Sequence, residues 1–238
     1  MSSPDITRLI KENLLYCEYQ PVANSGNISI FAYEALMRSK PRIAPPIIFQ
    51  HARSNGNLYD LDTVCITNAI KEYPHIYLQQ QFLFINILPS TIVHDEFENF
   101  IHNLLVNYPH IRGRIVFEIN EDSNEEGIWR QEVFLEGLSF LKSLGFSIAF
   151  DDLPVAKTSF DKMEAISPEF IKLDHTKAQG LSNSTEKQKT IELFLEYTNE
   201  KTKLVLEGIE TDADLKTAKR LGVHLLQGYF ISKPKLLS

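Results

Sequence analysis

From residue 82 onward, short apolar runs of strand character alternate with helical patterns, and this rhythm restricts the fold more than any other feature of the chain. The runs are FLFINIL at 82–88, RIVFEIN at 114–120, SIAFDD at 147–152, FIKLD at 170–174, KLVLEGIE at 203–210 and HLLQGYF at 224–230. Helical periodicity fills the intervals at 91–107, 125–144, about 159–165, 185–200 and 212–221. Most runs are apolar at successive positions, the pattern of a parallel sheet covered by helices on its outside. The chain opens differently. Asp5 with Ile6, Leu9, Ile10 and Leu14 predicts a first helix. CEYQPV at 17–22, turn residues Asn24 to Asn27 and ISIFAYEAL at 28–36 then read as an antiparallel hairpin. Pro41, Pro45, Pro46 and Gly56 surround a short helix, and an amphipathic helix starts at Leu58.

With the hairpin, the count reaches about eight strands, so the expected fold is α/β: a modified (β/α)8 TIM-like barrel with an antiparallel hairpin near the N-terminus. An apolar content of 43% supports one large core, and no linker or shift in composition divides residues 1–238, which read as a single domain. An open doubly wound sheet is the competing architecture. Against it, no glycine-rich phosphate loop follows an early strand.

Composition removes several function classes. Lys and Arg total 24 against 31 Asp and Glu, a net charge of −7 without a basic block, which argues against duplex nucleic acid as a partner. Cys17 and Cys65 lie far apart without metal-ligand spacing, as expected of reduced thiols. With no leader pattern and no apolar segment of membrane-spanning length, the expected compartment is the cytoplasm and no membrane partner is expected.

Polar residues interrupt the apolar runs near their ends: Glu34, Asn86, Glu118, Asp151 with Asp152, Lys172, Glu207 and Gln227. In a parallel barrel these residues converge on the C-terminal rim, where such folds carry their chemistry. Glu34, Glu118, Asp151, Asp152 and Glu207 bring five negative charges that Lys172 alone does not balance. Two divalent cations would balance them. Carboxylate and amide oxygens without His or Cys select Mg2+ or Mn2+ rather than Zn2+, at two ions per active site. Such a pair suits in-line attack of an activated water on a phosphodiester.

Read together, Tyr19-Gln20-Pro21, Glu34-Ala35-Leu36 within EALMR, Asn86 in INILPS, Glu118 and Glu121 in FEINE, Asp151-Asp152, Lys172 and Asp174 in IKLD, Glu207 and Glu210 in LEGIE, and QGYFISKP carry a family resemblance. The chain resembles the EAL domain, the bacterial cyclic di-GMP phosphodiesterase family, from about Tyr16 to Pro234. The resemblance implies hydrolysis of cyclic di-GMP to linear pGpG. It implies that Glu34, Asn86, Glu118 and Asp151 ligate one metal while Asp151, Asp152 and Glu207 serve the second. It also implies a catalytic set of Lys172, Glu207, Gln227 and Glu121, with Lys172 orienting or deprotonating the attacking water. The implied substrate-binding set is Gln20, Arg38, Asp62 and Glu210.

The chain also departs from the family pattern. Leu153 to Ser159, LPVAKTS, stand where the family usually has Phe-Gly-Thr-Gly-Tyr-Ser-Ser, so both loop glycines are absent and this loop must follow another path. Ser39 stands where a tryptophan is common, and Asn120 where a threonine is usual. Cyclic di-GMP sensing or protein binding without turnover is therefore the alternative function. A homodimer and a regulatory protein partner stay open.

Overall fold

The computed structural model describes residues 5–120, 124–152, 156–198 and 202–237. Eight strands close into one barrel in chain order: β1 (Leu15–Asn24), β2 (Ile30–Ser39), β3 (Phe82–Asn86), β4 (Ile115–Asn120), β5 (Ser147–Asp151), β6 (Phe170–Leu173), β7 (Lys203–Leu206) and β8 (Leu225–Leu226). β1 runs antiparallel to both its neighbours, β2 and β8, and every other pairing is parallel. The expected barrel and its hairpin are thus present.

One apolar layer fills the barrel, with one residue from each strand: Val22, Ala32, Phe84, Val116, Ala149, Phe170, Val205 and Leu225. Side chains two residues apart on a strand share a face. The next inward positions toward the rim are therefore Gln20, Glu34, Asn86, Glu118, Asp151, Lys172, Glu207 and Gln227. β1 is counted backwards because it runs the other way. The outward residues, among them Ile85, Phe117, Ile148 and Ile171, join the main core beneath the helices.

The helices are α1 (Ile6–Lys11), α2 (Pro45–Ser54), α3 (Leu58–Lys71), α4 (Pro89–Ile92), α5 (Phe97–Asn107), α6 (Glu132–Ser143), α7 (Lys157–Ile166), α8 (His175–Ala178), α9 (Thr185–Tyr197) and α10 (Asp212–Leu221). Asp5 caps α1 by accepting the Arg8 N–H. The single helix expected at 91–107 is instead two. His94 closes a turn between them, its Nδ1 accepting from Glu96 N and its carbonyl from Phe97 N, while its ring stacks on Tyr59 at 3.7 Å. The helix expected over 125–144 begins as a 3-10 turn at Glu126–Arg130. Trp129 is drawn inward there against Phe134 and Phe150, and Gln131 is extended before α6 starts. Among the described residues no helix is long and apolar enough to cross a membrane.

At Gly137 α6 passes close to the end of α4, so that a Cβ there would press on Cγ2 and the carbonyl oxygen of Ile92. Gly137→Ala is expected to destabilise the fold by about 1–3 kcal/mol through overpacking. In a denaturant titration this reads as a lower midpoint at unchanged slope.

Candidate active site

Lys172 is 0% exposed at the centre of the polar layer, a position an ammonium occupies only when its charge is compensated. Its Nζ lies 2.5 Å from Oε1 of Glu207, 2.7 Å from Oε1 of Glu118, 3.5 Å from Oε2 of Glu34 and 3.7 Å from Oδ1 of Asp151. Neighbouring amides complete the ring. Asn86 Nδ2 donates to Oε2 of Glu118 at 3.2 Å, and Gln227 Nε2 donates to Oε2 of Glu34 at 2.6 Å. Gln227 Nε2 also lies 3.3 Å from Oε1 of Gln20, whose own Nε2 donates to the Ser232 carbonyl.

Burial and crowding set the protonation of this ring. Burial pushes Glu207 up to about 8 and Asp151 up to about 6, with Lys172 opposing both shifts. Burial, then the charge of Glu34, raises Glu118 well above the usual carboxylate range. Burial pulls Lys172 toward neutrality, but Asp151, Glu118, Glu207 and Glu34 outweigh it and hold the side chain as an ammonium. The ring therefore has a surplus of carboxylate over cation.

That surplus bears on metal binding. Oδ1 of Asp151 and Oε1 of Gln227 are buried without a hydrogen-bond partner, and every donor in the ring except Lys172 offers oxygen. This chemistry fits hard dications. Among the described residues no three His, Cys, Asp or Glu side chains stand in a metal-holding arrangement; Glu118 and Glu207 instead close on Nζ of Lys172. Asp152 stands outside the ring. Its φ of 56° turns the chain away as β5 ends, and its Oδ2 accepts from Asn120 Nδ2 at 3.3 Å.

The remaining expected site residues fall on two flanks. A cavity of about 650 Å³ is walled by Arg38, Asp62, Asn86 and Asn120 together with Leu36, Phe49, Ile87 and Leu88. In it, Oδ2 of Asp62 accepts from Leu88 N at 3.0 Å and from Thr91 Oγ1 at 2.7 Å, so that oxygen braces the turn after Asn86. Arg38 Nε donates to Glu18 at 2.7 Å. On the other flank, Glu210 lines a cleft with Gln20, Glu34, Glu207 and Gln227. Glu121 lies outside the described residues.

Sequence reasoning missed His175, which lines that same cleft. A Cβ on Gly208, φ 76°, would collide with its Cα and Cβ, so the glycine lets the segment after Glu207 pass close to α8. Reasoning from sequence also missed Glu125, buried between Arg53 Nη2 at 2.7 Å and the Ser90 N–H at 2.8 Å. No periodicity marks either residue. Glu18 was readable, since it shares the inner face of β1 with Gln20.

Residues 4–234 match the sequence profile of the family described as EAL domain. The probable cyclic di-GMP phosphodiesterase PdeN of Escherichia coli is 25% identical over 238 residues, which cover 97% of this chain and 45% of that protein. The blue light- and temperature-regulated antirepressor BluF of Escherichia coli is 23% identical over 220 residues, or 92% of this chain and 54% of that protein. The chain thus spans about half the length of these relatives. In fold it is similar to the FimX EAL domain from Pseudomonas aeruginosa, solved bound to c-di-GMP, with a TM-score of 0.85 at 20% identity over 98% of each chain.

With divalent cations removed, stability is expected to fall as pH rises. Glu207 in the folded ring titrates near 8 rather than at 4.5, and Asp151 near 6 rather than 3.8, so the native state holds protons the unfolded chain has released. Their stabilising share is complete below the ordinary carboxylate range and is lost as pH climbs through about 6 and then about 8. Denaturation midpoints measured in EDTA across that range check this, and excess Mg2+ should flatten the slope.

Proposed function

The chain belongs to the EAL-domain family, and from that premise we propose that it hydrolyses one phosphodiester bond of cyclic di-GMP to give linear pGpG. Water oxygen bonds to phosphorus, the ring-closing 3′ oxygen leaves, and the product keeps the phosphate on its 5′ end. The observation that carries this reading is the polar layer itself: Glu34, Glu118, Asp151 and Glu207, from four strands or strand ends, gather on Nζ of Lys172.

Glu34, Asn86, Glu118, Asp151, Asp152 and Glu207 would hold two Mg2+ or Mn2+ ions, which when bound supply Lewis-acid activation of water and neutralise charge on the phosphate. Nζ of Lys172 would orient the attacking water. Once its surplus of carboxylate neighbours is neutralised, it can also take that water's proton. Gln227 holds Oε2 of Glu34, which keeps one wall of the ring in place. The cavity beside Asn86, with Arg38 and Asp62 in its wall, has the volume to take a purine half of the dinucleotide. Glu210, which lines the cleft on the other flank, would face the opposite side of the phosphate.

A second reading, binding of cyclic di-GMP or of a protein without turnover, rests on the loop sequence Leu153 to Ser159. One experiment separates the two. Purified protein with Mg2+ or Mn2+ is expected to convert cyclic di-GMP to pGpG, and Lys172→Ala to lower kcat by at least about a hundredfold with KM little changed. Absence of turnover in the unmutated protein, with binding retained, would establish the second reading.

A further inference from the structure

We propose that Glu18 competes with anionic ligand for Arg38, and that Arg42 is the fallback partner that lets Glu18 release it. This inference rests on the cyclic di-GMP reading above and concerns how tightly that ligand is held.

The hairpin continues the inner face of the barrel beyond its rim. Gln20 and Glu34 are paired in register, followed by Glu18 opposite Leu36 and then Tyr16 opposite Arg38. Glu18 and Arg38 are thus diagonal neighbours on one face, within reach of long side chains. Oε2 of Glu18 accepts from Arg38 Nε at 2.7 Å, with only 17% and 18% of the two side chains exposed. Arg38 Nη1 is committed to the Met37 carbonyl at 3.0 Å. Arg38 lines the cavity, and guanidinium is the side chain best suited to grip a phosphate with paired donors. Its Nε edge already carries a carboxylate. An incoming phosphate meets a guanidinium that is partly neutralised, with a negative charge directly behind it.

The same oxygen of Glu18 has a second cation in range. Arg42 Nη2 stands 3.8 Å from Oε2 and is 70% exposed, outside the walls of the cavity. The backbone that carries Arg42 is held on both sides. The buried Ser39 hydroxyl donates to the Pro41 carbonyl at 2.8 Å and accepts from Ile43 N at 3.0 Å, so it pins the chain on both sides of Arg42. When a phosphate takes Arg38, Glu18 can close on Arg42 and remain compensated.

The test is a double-mutant cycle on the Kd for cyclic di-GMP, measured by equilibrium titration with Ca2+ replacing Mg2+ to hold turnover back. Glu18→Gln keeps an acceptor for Arg38 but removes the competing charge, and should tighten binding about fivefold. Arg42→Gln should weaken binding about fivefold in the natural background and have no effect in the Glu18→Gln background. Melting curves show whether each variant is folded. Weaker binding in Glu18→Gln, or an equal loss from Arg42→Gln in both backgrounds, overturns the proposal. If the unmutated protein does not bind cyclic di-GMP at all, the phosphodiesterase reading falls and the competition falls with it.

Discussion

A lysine ammonium buried among carboxylates is the interaction on which the rest of this barrel depends. Placing Lys172 at 0% exposure costs several kcal/mol in desolvation unless close carboxylates compensate it. Glu207, Glu118, Glu34 and Asp151 do so from four different strands or strand ends. The opposite cost is as real. Four carboxylates on one ammonium repel one another, so the ring holds together without metal only by keeping protons that free carboxylates would lose. A chain under pressure for stability alone would replace such a ring with apolar side chains. The cost of such a ring is an argument for chemistry at that point.

Much of this was legible because one rule governs both layers. Period-two alternation puts an apolar residue and the polar residue two positions later on the same inward face, so a run such as FLFIN already contains Phe84 of the plug and Asn86 of the ring. Strand order and the hairpin followed from the rhythm of the runs. What escaped was set by tertiary contacts. The break at His94 depends on stacking with Tyr59, far away in sequence, and the 3-10 entry to α6 depends on where Trp129 finds Phe150. The apolar runs also overstate strand length. FIKLD pairs only through Leu173, and KLVLEGIE only through Leu206. Beyond those points the backbone turns to present Glu207 and to let Gly208 pass His175.

The replaced loop follows directly on Asp151 and Asp152 in the chain. Its first residues, 153–155, lie outside the described residues, while Ala156 is extended and α7 begins at Lys157. Asp151 on the near side is held by strand pairing with Asn120, whose side chain also reaches Asp152. Glu34, Glu118 and Lys172 are fixed by strands that do not involve the loop. The loss of both glycines falls just after Asp152, at the end of β5. The ammonium and its carboxylates keep their footing in the barrel.

Carboxylates in this protein divide by what their oxygens meet, a distinction that no residue pattern reveals. Asp62 and Glu125 are as buried as the ring acids, yet their oxygens accept backbone N–H and hydroxyl donors from Leu88, Ser90 and Thr91, so they tie down the turn after Asn86. Asp151 instead leaves Oδ1 buried without a hydrogen-bond donor. A satisfied acid lowers the energy of one backbone arrangement and has little left to offer a ligand. Nζ of Lys172 stands 3.7 Å from Oδ1 of Asp151 and offsets its charge without hydrogen-bonding it, so part of the cost of its burial is left for a metal ion or a proton to relieve. Braces of the first kind tie down the turn after Asn86, whose amide reaches the ring through Glu118.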